Sequence, residues 1–104
     1  MDLTLCITLY YNMKKLIWNE WNIDHIRKHN VTVNEVEEAY KNKKFEIDSY
    51  SDRKKLYGLT NKGRMMIVIV SKENNKNLYV FSARDMSRKE RREYYVQTKT
   101  NATI

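Results

Sequence analysis

Met65-Met66-Ile67-Val68-Ile69-Val70 is a run of six apolar residues. A strand covered on both faces reads this way, because neither side of its pleat meets water. The run therefore predicts the central strand of a sheet. Upstream, Asn61-Lys62-Gly63 signals a tight turn back to a strand near Lys54 to Leu59. A polar turn at Ser51-Asp52 precedes that strand. Before it, Phe45-Glu46-Ile47-Asp48 alternates apolar and polar, as a half-buried strand does. Downstream, the polar turn Glu73 to Asn77 leads into a fourth strand, Leu78 to Ala83. Hairpin-length turns make all these neighbours antiparallel.

Helices flank the strands. Trp21 to His29 reads as a short helix with Ile23 and Ile26 on one face, and Asn30 suits its end. Thr32-Val33-Asn34-Glu35 matches a capping box, so a second helix runs from about Val33 to Lys41. Val33, Val36 and Tyr40 form its buried stripe. Ser87-Arg88-Lys89-Glu90 is another capping box and opens a third helix, expected to end near Gln97. Its apolar surface is thin (Met86, Tyr94, Tyr95, Val96), so it lies on the sheet rather than inside. Lys15 to Trp18 is a short extended run. The expected fold is α+β: two N-terminal helices, a four-stranded antiparallel sheet and a C-terminal helix. At 104 residues the chain is one domain. Residues 1–12 read as an N-terminal extension or an added strand, 13–97 as the domain proper and 98–104 as a flexible tail.

The net charge of +7 is unevenly distributed. Residues 1–52 hold seven Lys/Arg and nine Asp/Glu; residues 53–104 hold thirteen and four. A basic half attracts polyanions, and without an amphipathic lipid-binding helix nucleic acid is the fitting one. Cys6 is the only cysteine, which excludes an intrachain disulfide and a cysteine zinc site and suits a reducing cytoplasm. The apolar stretch 3–11 is too short to span a membrane. Two glycines, Gly58 and Gly63, cannot build a phosphate loop, so nucleotide-dependent chemistry is not expected.

The charge peaks in Tyr79 to Tyr95, YVFSARDMSRKERREYY, where Arg84, Arg88, Lys89, Arg91 and Arg92 surround Glu90 and precede Tyr94-Tyr95. Strand alternation puts Leu78, Val80, Ser82 and Arg84 on one face. In a hairpin Arg64 comes close to Arg84, and two guanidiniums converging at a helix start can clamp a phosphate. Salt bridges from Arg64 and Arg84 to Asp85, Glu90 or Glu73 are the structural alternative. A carboxylate, a phenol and arginines suffice for RNA cleavage without a metal. A base deprotonates the 2′-hydroxyl, cations stabilise the added charge and an acid protonates the leaving oxygen. His29 can also carry a proton. His25 and His29 lie one turn apart, yet His-Ile-Arg-Lys-His lacks the HExxH glutamate and brings two cations. No metal and no cofactor is expected. Trp18 and Trp21 can stack on bases or pack in the core.

Several segments together resemble the BrnT toxin family. They are Trp18 to His29 with Asn30-Val31, Val33 to Ala39 (VNEVEEA), Arg53 to Gly58, Gly63-Arg64, and Ser82-Ala83-Arg84 followed by Ser87 to Tyr94. The likeness covers about residues 13–95, and the last segment is the most specific. Asn30 stands where the family often has glycine. The resemblance implies a RelE-like fold and a cytoplasmic endoribonuclease toxin of a type II toxin–antitoxin pair that inhibits translation. It further implies a dimeric BrnA-like antitoxin, a heterotetramer, and operator DNA contacted only through the antitoxin. The polar signature carried over is Arg64, Ser82, Arg84, Glu90, Arg91 and Tyr94. The expected roles are Arg64 and Arg84 as phosphate clamps, Glu90 or His29 as proton carrier and Tyr94 as an orienting or stacking group. Arg53, Ser82, Arg88, Lys89, Arg91 and Arg92 are expected to hold RNA. The rival readings are a basic module that binds RNA, DNA or an antitoxin without cutting, and an inactive toxin scaffold.

Overall fold

The computed structural model describes residues 13–102, with side chains through Lys99. The stretch 1–12, read above as an extension or added strand, lies outside the described residues. The elements run β1 (Lys15–Ile17), α1 (Glu20–Arg27), α2 (Val33–Lys41), β2 (Phe45–Asp48), β3 (Arg53–Leu59), β4 (Met65–Lys72), β5 (Asn77–Asp85) and α3 (Arg88–Ala102). The expected α+β class holds, but the sheet is mixed and five-stranded, in the order β1-β5-β4-β3-β2.

The fifth strand is the Lys15 to Trp18 run. It pairs in parallel with β5, Lys15 opposite Asn77 and Ile17 opposite Tyr79. A parallel partner is reached by a long crossover and leaves no turn signature, so hairpin reasoning overlooks it. Asn22 secures this edge. Its buried amide donates to the carbonyls of Ile17 and Val80 at 2.9 and 3.0 Å, bridging β1 and β5 from α1. Asn19 caps α1 and exchanges bonds with Asn22, a capping box built from two asparagines.

The run Met65 to Val70 is central, as expected, and feeds two cores. Met66, Val68 and Val70 join Val80, Ala83, Leu56 and the inner faces of α1 and α2 (Ile26, Val36, Ala39, Tyr40). Ile67 faces the other way, with Tyr57, Met86 and Tyr94. Gly58 permits the first packing: a Cβ there would lie 2.1 Å from the Ala39 carbonyl oxygen, so α2 could not approach β3.

Asn30 closes α1 in the left-handed region at φ 58°. The Asn30 N–H bonds to Arg27 O and the Val31 N–H to Ile26 O, the paired bonds of a Schellman close. Both predicted capping boxes form, Thr32 with Glu35 and Ser87 with Glu90. Helix α3 runs on to Ala102, past the expected end near Gln97, since no glycine or proline stops it. Only part of its apolar surface is used: Met86 and Tyr94 are buried, whereas Tyr95 and Val96 are half or more exposed.

Strict alternation along β5 does not hold. Ser82 pairs with Ile69 and Val80 with Val70, so Phe81 is the extra residue of a β-bulge. Leu78 and Val80 pack on the helix side, and so does Ala83 beyond the bulge. Ser82 and Arg84 are thereby turned to the opposite face from Val80.

Candidate active site

The bulge separates the two arginines expected to converge. Arg84 lies opposite Ile67, which belongs to the α3-side core, and Asp85 lies opposite Met66, which belongs to the α1/α2-side core. Successive strand residues point to opposite faces. Arg64 follows Asp85 to the helix side. Its Nε and Nη2 donate to the two Asp85 oxygens at 2.6 and 3.2 Å. Its Nη1 donates to the Glu35 carboxylate at 3.0 Å and to Asn30 O at 2.9 Å. The Asp85 bond, opposed by burial and supported by Glu35, holds the Arg64 charge well above its ordinary range. The same bond lowers Asp85. Glu35 is lowered by the Thr32 N–H and, against burial, by Arg64. The structural alternative to a phosphate clamp is what forms: Arg64 pairs with Asp85, and Arg84 with Glu90.

On the other face the organising group is Glu90, a carboxylate only 5% exposed. It accepts a forked pair of bonds from Arg84, Nη1 to Oε1 at 2.6 Å and Nη2 to Oε2 at 2.9 Å. Lys55 Nζ reaches Oε2 at 2.6 Å, and the Ser87 N–H donates to Oε1 at 2.8 Å. The Arg84 bond leads, burial opposes it, and Lys55 and Ser87 add to it; the carboxylate is held far below the usual range. Burial works most strongly against the Lys55 charge, but Glu90 and Tyr57 together outweigh it and raise the ammonium above its ordinary value. The arrangement fixes two cations side by side on the floor of the sheet.

Arg84 and Lys55 line a hollow of about 570 Å³. Arg53 and Ser82 also line it, with Tyr50 and Phe81 beside them and Trp21 and His25 reaching in from α1. Among the described residues no carboxylate lines it. A larger hollow of about 770 Å³ lies at Trp18 and Tyr40, but Glu37 and Glu38 line it together with lysines, so its charge is mixed. The cationic hollow suits an anion better.

The remaining predicted residues are dispersed. Arg53 lies over the Phe81 ring at 3.8 Å and lines the hollow. His29 lies outside it; its ring meets His25 edge-on at 5.8 Å and its carbonyl accepts from Arg64. Tyr94 is buried against Phe45, and burial raises its phenol. Arg88, Lys89 and Arg92 are exposed on α3, and Arg91 donates to Met86 O at 3.0 Å. Lys55, Tyr50 and Phe81 did not stand out in the sequence. The spacing Arg53-x-Lys55 was the available signal, since residues i and i+2 of a strand share a face. His25 appeared in the sequence only as half of a discounted metal pair. Among the described residues no cluster of three or more His, Cys, Asp or Glu is placed to hold a metal, and no helix is long and apolar enough to cross a membrane.

No family model and no curated protein sequence matches the chain. Among solved structures it is similar to the Brucella abortus ribonuclease toxin BrnT. The identity is 26%, over 73% of this chain and the whole of that one, with a TM-score of 0.60. The chain is thus BrnT-like in fold as well as in the segments that carry the sequence resemblance.

Proposed function

We propose that this chain is a ribonuclease toxin that cleaves RNA without a metal. The observation that carries the reading is the Glu90 clamp, which sets Arg84 and Lys55 together in a hollow without carboxylates. The likeness to a ribonuclease toxin supports it. Arg84 and Lys55 supply the positive charge that a phosphorane-like transition state needs, and Arg53 holds RNA beside them. Glu90 keeps Arg84 and Lys55 in place and, with its lone pairs engaged, is a positioning group rather than a proton carrier. His25, at the hollow, takes the proton-carrying role in preference to His29. It removes the 2′-hydroxyl proton, the 2′-oxygen attacks phosphorus, and the bond to the 5′-oxygen breaks. The leaving oxygen takes up a proton, giving a 2′,3′-cyclic phosphate and a 5′-hydroxyl. Tyr94 orients α3 by packing, and Arg88, Lys89, Arg91 and Arg92 draw in the RNA backbone. Ser82 contacts RNA from the floor.

The partner in this reading is a dimeric BrnA-like antitoxin, forming a heterotetramer that reaches operator DNA through the antitoxin. The toxin acts in the cytoplasm and halts translation. The test is cleavage of single-stranded RNA under multiple turnover with EDTA present. Replacing Arg84 with alanine is expected to lower kcat/KM by about 10²–10³, the loss typical for one transition-state donor. Full activity in Arg84→Ala overturns the assignment. The second reading, a non-cutting binding module, is favoured by the complete pairing of Arg84 within the protein. A folded wild-type chain that retards RNA and leaves it intact would establish it.

A further inference from the structure

Two features of the hollow are not used by the cleavage chemistry. Trp21 is 55% exposed although it belongs to a helix whose inner face is fully packed. One face of its indole is braced by His25, ring centroids 5.0 Å apart and planes within 8° of parallel. The stack holds the indole in one orientation while the rest of the ring stays open at the hollow. Across the hollow is Arg53. Its guanidinium carbon lies over the Phe81 ring at 3.8 Å from the centroid and 5.7 Å from that of Tyr50. Among the described residues its side chain makes no hydrogen bond and no ion pair, and its Nε is buried without a partner. Arg64 and Arg84, in contrast, have carboxylates in both their forks. A buried donor without an acceptor is unusual in a folded protein and calls for an explanation.

We propose that the hollow is a nucleotide subsite for single-stranded RNA, in which an unpaired base stacks on Trp21 and the adjoining phosphate is held by Arg53. The chemistry matches on both sides. Every base has a π-face, so an open indole takes an unpaired base with little sequence preference. An arginine lying on an aromatic ring keeps its N–H edge free and oriented for phosphate oxygens. Tyr50, 75% exposed on the β2–β3 turn, flanks the guanidinium. The left-handed pair Ser51 and Asp52 makes that turn tight, so Tyr50 is presented on a short hairpin end. The subsite rests on the RNA-directed reading given above and adds a binding step to it: the Trp21–Arg53 pair sets which nucleotide sits next to Arg84.

The test uses the full chain and a fluorescein-labelled hexaribonucleotide with every 2′-hydroxyl methylated, so that binding is read without cleavage. Trp21→Ala is expected to weaken binding about tenfold, within the range for loss of one stacked base. It should leave the salt dependence unchanged, and Trp21→Phe should recover most of the affinity. Arg53→Ala should weaken binding and reduce the slope of log K against log salt by about 0.7, the contribution of one phosphate on a single strand. Lys62→Ala, on the distant β3–β4 turn, serves as the charge-loss control. Circular dichroism melting verifies that each variant is folded. Binding by both variants within twofold of wild type overturns the subsite. Cleavage of unmodified RNA is measured in parallel. Cleavage with no dependence on Trp21 and Arg53 removes the subsite and leaves the ribonuclease reading standing. Binding that depends on both, without cleavage, does the reverse.

Discussion

Arg64 and Arg84 are the same residue type, both forked onto carboxylates, and they lie on opposite faces of one sheet. Arg64 donates to Asp85, Glu35 and the carbonyl that ends α1, so it ties β5, the start of α2 and the end of α1 together. Arg84 is held by Glu90 and still lines a hollow. The difference lies in what stands beyond the ion pair: packed helices for Arg64, open space for Arg84. Ion pairing therefore does not separate the braced arginine from the one that lines the hollow. Access is what differs between the two, and Arg53, stacked and without a side-chain hydrogen bond, is the extreme case.

Removing Glu90 should break the open face most severely. Glu90→Ala leaves Arg84 and Lys55 as neighbouring cations without their shared anion. A loss of about 3 kcal/mol is expected by denaturant titration, with RNA cleavage abolished. A variant as stable as wild type would show that the clamp holds nothing. Next in size is Arg64→Ala, expected to cost about 1–2 kcal/mol as the exposed Asp85 and the half-buried Glu35 lose their shared charge-assisted bonds. Cleavage per folded molecule should stay within about threefold of wild type, a smaller change than loss of one transition-state donor would bring. A tenfold loss of kcat in a fully folded Arg64→Ala would erase the distinction between the faces.

Acid offers a gentler probe. Glu90, Asp85 and Glu35 are all lowered from their ordinary values, 4.5 for the two glutamates. A lowered carboxylate contributes its full stability above the unfolded value and loses it as pH falls toward the folded one. Stability should therefore be flat above about pH 4.5 and decline below it. Glu90→Gln should make that decline shallower, because Glu90 is the most strongly lowered of the three. The smallest effect is expected from Thr32→Ala. It removes the α2 cap and loosens Glu35, at a cost of about 1 kcal/mol on the Arg64 side, with cleavage unaffected.

Much of this fold was legible because local rules act on neighbouring residues. The stripe Val33, Val36 and Tyr40, the two Ser/Thr capping boxes and the left-handed Asn30 were all read from spacing and residue type. Features that depend on distant pairing were not. The parallel β1–β5 ladder has no turn to announce it, and Asn22, which bridges the two strands, reads as an ordinary polar helix residue. The bulge at Phe81 is a single extra residue with no glycine to mark it. It reverses the face of Ser82 and Arg84, and so the expected meeting of Arg64 and Arg84 does not occur. Lys55 was overlooked because its importance comes from Glu90, 35 positions away, and not from its neighbours in the chain.

What the sequence determined by itself is the set of elements, their caps, the central strand and the basic character of the second half. Periodicity, capping and charge are properties of short stretches, so they need no partner to be read. What the tertiary structure decided is which cations are engaged and which remain open. That outcome depends on the register of β5 and on the helix that covers each face of the sheet. Two arginines of equal promise in the chain become a brace and a candidate phosphate ligand because one bulged residue sends them to opposite sides.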